Sequence, residues 1–323
     1  MPTPIAFFVC KPNNRVMQTS TSKPVLFWTS AYEPLATDMA GLGAFEMGII
    51  GRKTFPDGER WHRIVSDVVD RDCVLVGGTG SDADTLSVFD IGCGLASAGA
   101  RTLSLVVPYF GHGTSDREVE PGEVVTAKTR AILLSSIGRA AAGNRVYLLD
   151  AHAEGLPYYF ESHLRPFHLY AQSVLLPVIK ELGGDSFVLA TVDSGRAKWV
   201  AHFADILGVD TAVALKRRLD GSHTELVAVA ASVRGRRVGI YDDMIRTGES
   251  LINAAKVYAK GGATSIFAVV THAVFAGNAL ADLSNSGLFE QIVVTDSHPR
   301  AREIESDFVR VVSCAPVLVA PFA

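Results

Sequence analysis

The sequence predicts an α/β protein with two doubly wound parallel sheets. Short apolar runs recur along the chain, such as VLFW at 25–28 and QIVVTD at 291–296, and most are continuously apolar. Continuous apolarity is typical of parallel strands that are buried on both faces. Longer helical patterns lie between the runs, and this strand–helix–strand rhythm predicts doubly wound sheets. The chain has 323 residues, which is enough for two of them.

Each predicted strand is a short run of mainly apolar residues. In chain order, the strands are 25–28, 73–78, 102–109, 146–150, 187–193, 237–243, 265–272 and 291–296. Two of the helical patterns between them are TAKTRAILLSSIGRAA (126–141) and ESLINAAKVYAKGG (249–262). The second pattern ends in two glycines, which favour the C-terminal cap of a helix.

These elements divide the chain into two similar halves. We place the boundary within ESHLRPF, which gives an N-terminal domain of residues 25–163 and a C-terminal domain that begins at residue 164. Residues 1–24 are predicted to be a poorly ordered extension. No repeat of fixed period and no low-complexity tract is evident in the sequence.

Composition and charge argue against several classes of protein. Hydrophobic residues make up 48% and charged residues 20%, as in ordinary globular proteins, and the net charge is −4. This charge gives no reason to expect nucleic acid or an anionic membrane as a partner. No run reaches membrane-spanning length, and the N-terminal IAFFVC lacks the basic region of a signal peptide. The four cysteines form no CxxC pair, which favours free thiols in a cytoplasmic protein.

Polar side chains follow the ends of several predicted strands. Asp150, Asp193 and the pair Asp242–Asp243 end three of them, and His152 comes two residues after Asp150. Ligands bind at the carboxyl ends of strands in open α/β sheets, so we expect these side chains to converge on one cleft. A single aspartate after a strand is more often a turn residue or a helix cap, so the adjacent pair is the stronger signal.

The pair begins the stretch DDMIRTGES, which ends at Ser250. Two adjacent carboxylates are costly to bury unless a ligand or cation uses them, and either the hydroxyls of a ribose or Mg²⁺ would suit. The loop that follows offers backbone N–H groups, two hydroxyls and a helix N-terminus, which favour a phosphate. Neither aspartate has an obvious cationic partner in the sequence, and we place Arg246 beside the phosphate.

Other patterns are weaker. GGTGSDA (77–83) fits a dinucleotide fingerprint, but no strand ending in Asp or Glu follows about 20 residues later. No P-loop motif occurs, which argues against a P-loop kinase. His272 is predicted to be a packing histidine. LKRR at 215–218 is either a solvated basic turn or a mobile loop that neutralises a polyphosphate.

With these motifs in place, the chain resembles the ribose-phosphate pyrophosphokinases, also called PRPP synthetases. The resemblance extends over nearly the whole chain after about residue 25. The matching motifs, in the order of the family, are FPDGER (55–60), VPYFGHGTSDR (107–117), DAHAEG (150–155), TVDSGRA (191–197), LKRR (215–218), DDMIRTGES (242–250) and THAVFAG (271–277).

The resemblance implies a fold and an activity. The fold would be two phosphoribosyltransferase-type domains, with the second spanning 164–305 and a C-terminal segment, 306–323, returning to the first. The activity would be Mg²⁺-dependent transfer of the β,γ-pyrophosphate of ATP to the C1 hydroxyl of ribose 5-phosphate. The implied partners are ATP, ribose 5-phosphate and further copies of the chain, as a homodimer or homohexamer.

The resemblance also assigns roles to individual residues. The implied catalytic residues are Lys216, Arg218 and His152. The implied ATP-binding residues are Phe55, Asp57, Glu59, Thr114, Ser115 and Asp116. The implied ribose-phosphate site is Asp242, Asp243, Arg246, Thr247, Gly248, Glu249 and Ser250. Asp193, Ser194 and Gly195 would form the pyrophosphate loop, and His152 and Asp193 would hold Mg²⁺ with Asp150 nearby.

The departures from the family pattern are concentrated in the binding loops. Thr114 and Ser115 stand where the family has Arg-Gln, and neither can replace a guanidinium. Arg246 replaces an aspartate, and Glu249 and Arg196 each replace a glycine. Three readings stay open: a divergent PRPP synthetase, a related pyrophosphokinase with another acceptor such as ADP-ribose, and a non-catalytic regulatory subunit. The retained catalytic residues argue against the third.

Overall fold

The computed structural model describes residues 22–161, 163–220, 223–229 and 233–323. Of the predicted N-terminal extension, residues 1–21 lie outside this range. Of Ser194 and of residues 215–220 and 223–229, the backbone alone is described.

The first half of the described chain contains a six-stranded parallel sheet and a separate hairpin. Its strands are β1 (Val25–Trp28), β2 (Glu46–Met47), β3 (Ile50–Thr54), β4 (Arg60–Ile64), β5 (Asp72–Val76), β6 (Thr102–Val107), β7 (Asn144–Leu149) and β8 (Leu164–Leu169). The sheet order is β2-β1-β5-β6-β7-β8, and β3 and β4 pair with each other in antiparallel fashion. Its helices are α1 (Glu33–Gly41), α2 (Asp82–Ser97) and α3 (Thr126–Ser135).

The second half contains a seven-stranded sheet. Its strands are β9 (Phe187–Thr191), β10 (Asp210–Asp220), β11 (His223–Val229), β12 (Arg237–Ile245), β13 (Ser265–Ala273), β14 (Ile292–Thr295) and β15 (Val309–Val312). The order is β11-β10-β9-β12-β13-β14-β15, and every pairing is parallel except that of β10 with β11. The helices of this half are α4 (Gln172–Gly183), α5 (Ala197–Leu207), α6 (Glu249–Lys260), α7 (Ala279–Asn285), α8 (Arg300–Glu303) and α9 (Ala315–Val319).

One apolar core joins the two sheets. Leu26 and Val106 of the first sheet belong to the same buried cluster as Leu189 and Phe267 of the second. α9 contributes Leu318 to this cluster, and its fully buried side chain lies in the region where α9 contacts α1 and α4. The outer face of each sheet has a separate core against its own helices. The sheets therefore hold each other in a defined orientation, which positions the loops at their carboxyl ends.

The predicted fold class and all eight predicted strands are confirmed. Several strands that were not predicted, among them β3, β4 and β8, lack a continuous apolar run. β3 and β4 are mostly exposed, and β8 is an edge strand that contains a proline. Exposure and an edge position each reduce the number of apolar residues that a strand needs. None of the described helices combines the length and the apolar character needed to cross a bilayer.

The interpretation of LKRR as a loop is wrong. Residues 215–218 lie inside β10, and Lys216 and Arg218 are in register with Leu226 and Thr224 of β11. The charged residues 216–218 interrupt the apolar pattern of β10, so the sequence does not reveal that the strand continues through them.

The pairing of β8 and β15 bears on where one half ends and the other begins. β8, which begins at residue 164, pairs with β7 in the first sheet. At the other end, β15 pairs with β14 in the second sheet, and α9 beyond it packs against α1 of the first half. We propose that the first domain ends after β8 and that the returning segment begins after β15.

Candidate active site

A cleft of about 960 Å³ opens at the carboxyl ends of β9 and β12. Its walls come from the loops after β6 and β7 in the first half and from the loops after β9 and β12 in the second. The residues that line it include Thr114, Asp116, Arg117, His152, Glu154, Asp193, Gly195, Arg196, Lys198, Trp199, Asp242, Asp243, Arg246, Thr247, Gly248 and Ser250. The predicted convergence of His152, Asp193 and the aspartate pair is therefore confirmed.

At one wall of the cleft, His152, Arg196 and Asp243 form a compact charged group. The Asp243 carboxylate forms an ion pair with Arg196, with Oδ2 2.6 Å from Nη2, and the same oxygen lies 2.7 Å from His152 Nδ1. Arg196 Nη2 also donates to the backbone oxygen of His152 at 2.8 Å. The sequence shows no obvious cationic partner for either aspartate, but the structure gives Asp243 one. Arg196 lies far from Asp243 in sequence, and the start of α5 delivers it there.

The two adjacent aspartates ionise differently. Burial would raise the pKa of Asp243, but the hydrogen bond from His152 and the charge of Arg196 outweigh it and lower that pKa to about 2. Burial and the charge of Asp243 raise the pKa of Asp242 well above its usual range. Asp242 also accepts a hydrogen bond from the backbone N–H of Asp243 at 2.9 Å. The pair therefore carries one firmly ionised carboxylate and one that ionises with difficulty.

Asp150 plays a structural part beside the cleft. Its backbone has a φ of 38°, a rare conformation for a residue other than glycine. Its carboxyl accepts hydrogen bonds from Thr271 Oγ1 at 2.6 Å and from the backbone of Ala171. Burial raises its pKa to about 6. The prediction that Asp150 lines the same cleft as His152 is therefore wrong, since Asp150 does not line the large cavity and its carboxyl is bound to Thr271 and Ala171 instead.

Asp193 shapes the turn that follows β9. Its Oδ1 accepts the backbone N–H of Gly195 at 2.8 Å, and its own N–H donates to Thr191 Oγ1 at 2.9 Å. Ser194, Gly195 and Arg196 form a single 3₁₀ turn. This turn brings Arg196 back toward Asp243.

The proposed metal ligands do not form a cluster. Among the residues that the structure describes, no three His, Cys, Asp or Glu side chains are grouped closely enough to hold a metal ion. Asp150 is bound to Thr271, and His152 is bound to Asp243. The expected set of Asp150, His152 and Asp193 therefore does not fit a metal site made of protein ligands alone.

The loop of residues 246–250 leads into α6. Gly248 precedes the helix with a φ of 78°, and a side chain there would also approach Leu283 to about 3.0 Å. Arg246 reaches across the cleft and donates from Nη1 to Thr114 Oγ1 at 3.2 Å. Two of the positions that depart from the family pattern are therefore in direct contact.

The predicted adenine-binding residues lie elsewhere. Phe55, Asp57 and Glu59 form the turn between β3 and β4, where the N–H of Phe55 donates to the backbone oxygen of Glu59 at 2.8 Å. Asp57 and Glu59 are exposed, and none of the three lines the large cavity. Ser115 is likewise not among the residues that line it.

Lys216 and Arg218 have a described backbone only. β10 pairs with β9 as far as Val213 and Thr191, and then continues beyond the end of β9 to Asp220. The basic residues therefore stand on the part of β10 that extends past the carboxyl edge of the sheet. Their roles stay predictions.

Some weaker expectations are also resolved. His272 is 2% exposed and contacts Ser297 Oγ at 2.8 Å, so the prediction of a packing histidine is confirmed. Gly78 of the GGTGSDA run faces Tyr32, whose hydroxyl would lie 2.1 Å from an added Cβ. Close packing therefore accounts for this glycine without a dinucleotide.

Sequence reasoning missed Lys198, Trp199 and Arg117 as cavity residues, and it noted Arg196 as a departure without assigning it a partner. Lys198 and Trp199 follow the pyrophosphate motif directly, and Arg117 ends the 107–117 motif, so proximity to a motif was the available signal.

Two family descriptions match the chain. Residues 24–138 match the N-terminal domain of ribose phosphate pyrophosphokinase, and residues 207–320 match the phosphoribosyl synthetase-associated domain. The chain is similar to a solved structure of phosphoribosylpyrophosphate synthetase from Mycobacterium smegmatis, with a TM-score of 0.82 and 24% identity. That similarity covers 93% of this chain and 98% of the other, and it supports the fold.

Curated relatives agree with these matches. The ribose-phosphate pyrophosphokinase of Gloeobacter violaceus is 33% identical over 298 residues, which cover 91% of this chain and 87% of the relative. That of Vibrio parahaemolyticus is 32% identical over 283 residues, with 86% and 88% covered. Matches of this identity over most of both chains leave one conclusion: the chain belongs to the ribose-phosphate pyrophosphokinase family.

Proposed function

We propose that the chain transfers the β,γ-pyrophosphate of ATP to the C1 hydroxyl of ribose 5-phosphate, which yields PRPP and AMP. The observation that carries this proposal is the cleft of about 960 Å³, where carboxylates suited to sugar hydroxyls and cations suited to a polyphosphate face the same space. Transfer of a phosphoryl-type group needs little covalent help from the protein. Positioning and charge neutralisation are its main requirements.

The sugar phosphate would bind at the carboxyl end of β12. Asp242 lines the cavity and can accept hydrogen bonds from ribose hydroxyls, whereas Asp243 is already bound to Arg196 and His152. The 5-phosphate would lie at the loop of residues 246–250, near the N-terminus of α6, where backbone N–H groups and the helix dipole favour an anion.

The transferring pyrophosphoryl group would be neutralised by cations around the cleft. Arg117 and Lys198 line the cavity, and Lys216 and Arg218 stand on the extension of β10 beside it. Such charges stabilise a transition state most when they are already in place before the reaction. We assign this role to Lys216 and Arg218.

Mg²⁺ would enter with the ATP phosphates. Mg²⁺ is commonly held by one or two carboxylates together with substrate phosphates rather than by an all-protein cage. The absence of a three-ligand cluster among the described residues is consistent with this mode of binding. Addition of EDTA should abolish the reaction, and full activity in EDTA would contradict the proposal.

The adenine would be bound by another copy of the chain. Phe55, Asp57 and Glu59 stand at the tip of an exposed hairpin, outside the cavity of their own chain. Apolar side chains near its base, Ile49 and Val65, are 62% and 52% exposed and are joined through their backbones at 2.9 Å. Exposed apolar groups of this kind favour a homo-oligomer that places the tip at a neighbouring cleft.

A second candidate differs in the acceptor. Arg246 and Thr114 are in contact across the cleft, and both replace residues typical of the family. This change favours a related pyrophosphokinase that accepts a larger ester of ribose 5-phosphate.

One assay separates these candidates. Purified full-length chain is incubated with Mg²⁺, ATP and either ribose 5-phosphate or ADP-ribose, and AMP and the pyrophosphorylated sugar are quantified. Equal yields of AMP and PRPP support the first candidate, whereas products from ADP-ribose alone support the second. If neither acceptor releases AMP above the acceptor-free control, both candidates are wrong.

A further inference from the structure

We propose that Arg196 is a built-in cation that pairs with Asp243 beside His152, which the resemblance assigns to Mg²⁺, and that it keeps a protein-bound divalent metal out of this part of the cleft. As a consequence, the reaction would need only the metal that ATP carries. This inference rests in part on the proposed pyrophosphokinase activity, but its first test does not.

Arg196 contacts the carboxylate and the histidine that a metal ion in this part of the cleft would need as ligands. Arg196 Nη2 lies 2.6 Å from Asp243 Oδ2 and 3.4 Å from His152 Nδ1, and it donates to His152 O at 2.8 Å. Mg²⁺ binds oxygen at about 2.0–2.1 Å and demands near-octahedral geometry. A guanidinium nitrogen at this distance excludes an ion from the same carboxylate oxygen.

Burial makes this arrangement hard to displace. The Arg196 side chain is 14% exposed and that of Asp243 is 5% exposed. A charge in such surroundings requires a partner of opposite sign, since an unpaired buried charge is strongly unfavourable. The two groups therefore satisfy each other in the ligand-free protein, and a second cation beside Asp243 would be repelled.

The placement of Arg196 runs against local preference. It immediately precedes α5, where the positive end of the helix dipole disfavours a cation. The resemblance to the family leads us to expect a glycine at this position, which would suit the turn. Departures from local preference are expected at functional sites and are compensated elsewhere, and the carboxylate of Asp243 is the compensating contact here.

The first test measures metal binding to the full-length chain without nucleotide. Mn²⁺ is titrated and the free ion is followed by electron paramagnetic resonance. We expect Arg196→Gly to gain one Mn²⁺ site per chain, at least about tenfold tighter than any site in the parent. Arg196→Lys should stay like the parent because it keeps the charge. Equal Mn²⁺ binding by the parent and Arg196→Gly would overturn the proposal.

Two further variants guard against trivial results. Arg236 also donates to a carboxylate, Asp210 at 2.5 Å, and to a backbone oxygen, Phe187 O at 2.9 Å, at the opposite edge of the sheet. Arg236→Gly is therefore a matched control and should gain no Mn²⁺ site. If Arg196→Gly does not fold, Arg196→Gln, which removes the charge but keeps much of the length, is compared with Arg196→Lys and should gain the site.

The second test uses the reaction itself. At fixed ATP, AMP release by the parent should reach its maximum once Mg²⁺ equals ATP, whereas Arg196→Gly should require Mg²⁺ in excess. Further activation of the parent by excess Mg²⁺ would overturn the proposal. If no variant forms product, the proposed function fails, while the Mn²⁺ titration still decides the role of Arg196.

Discussion

Asp242 and Asp243 are adjacent in β12, but their charges have different surroundings. Asp243 is 3% exposed and has the cation Arg196 at 2.6 Å. Asp242 accepts a backbone hydrogen bond from Asp243, and burial together with the neighbouring charge raises its pKa. The same side chain at two consecutive positions is therefore expected to contribute differently to stability and to binding.

Neutralising each aspartate should show this difference. Asp243→Asn should lower the free energy of unfolding at pH 7 by roughly 3–5 kcal/mol, because it leaves Arg196 buried without its carboxylate. Asp242→Asn should change it by less than about 1 kcal/mol, because it removes no charged partner. Urea unfolding of the ligand-free chain measures both, and equal losses would contradict this assignment.

Arg246 tests the position of the 5-phosphate. A charge-assisted hydrogen bond contributes about 1.5–3 kcal/mol, so Arg246→Ala should raise KM for ribose 5-phosphate about tenfold or more. KM for ATP should change little. Steady-state kinetics measures both constants. Arg300→Ala removes an exposed arginine that pairs with Glu303 three residues later, and it should leave both constants unchanged. An unchanged KM for the sugar phosphate in Arg246→Ala would make Arg246 a surface residue.

His272 should make the protein sensitive to acid. Burial lowers its pKa to about 4 from a usual value of 6.5. Below pH 6.5 the unfolded chain gains a proton that the folded chain does not take up. The contribution of neutral, buried His272 to the free energy of unfolding is thus complete above pH 6.5. It is lost as the pH falls toward 4, which lowers the free energy of unfolding by roughly 3 kcal/mol.

Urea unfolding at pH values from 7 to 4 tests this sign. The loss of stability over that range should be smaller by this amount in His272→Gln than in the parent. His202 is exposed, so His202→Gln should keep the slope of the parent. A slope that is the same in His272→Gln and in the parent would show that another group causes the acid sensitivity.

At the scale of elements, β10 is the strand that carries the proposed catalytic residues Lys216 and Arg218. Its first residues, 210–213, pair with β9, while its later residues extend past the end of β9 and pair with β11 alone. A two-stranded extension has few neighbours, so substitutions on it should cost little stability. Its basic residues can therefore be tested for function without the complication of unfolding.

Lys216→Ala should lower kcat by at least about 100-fold, the range seen when a contact to transition-state charge is lost. The melting temperature should change little for the reason given above. Arg217, the third cation of the same run, has no predicted role, and Arg217→Ala is the matched control. Single-turnover and steady-state rates of AMP release measure the effect, and near-normal turnover in Lys216→Ala would remove it from the catalytic set.

At the scale of the whole molecule, the end of the chain links the two halves. α9 packs against α1 and α4, and beyond it the ring of Phe322 lies 5.4 Å from that of Phe45 and 5.3 Å from that of Tyr147. The cleft depends on the relative position of the two sheets. Its geometry should therefore depend on residues far from it.

Leu318 carries this prediction, since its side chain is fully buried in the core shared by the two sheets. Leu318→Ala should lower the free energy of unfolding by about 2–5 kcal/mol through the cavity it leaves. Val119 is 78% exposed, and Val119→Ala should change it by less than about 0.5 kcal/mol. Urea unfolding measures both, and similar small effects would show that the returning segment is not part of the core.

The local sequence pattern was sufficient to predict those strands that are buried on both faces. Strands covered on both faces must be apolar throughout, so β1, β9 and β14 could be predicted from their residues. The hairpin of β3 and β4 obeys no such rule because it is largely exposed, and β10 could not be distinguished from a basic loop.

The sequence by itself determined the fold class, the main strands and the location of the cleft at their carboxyl ends, because these follow from periodicity and from the geometry of parallel sheets. Only the tertiary structure decided how the charges in that cleft are paired. Arg196 reaches Asp243 and His152, and Arg246 reaches Thr114, across distances in sequence that no local pattern records. The physical reason is that a buried charge needs a partner of opposite charge or a hydrogen bond. Which side chains lie close enough to serve as that partner depends on how the two sheets pack on their shared core.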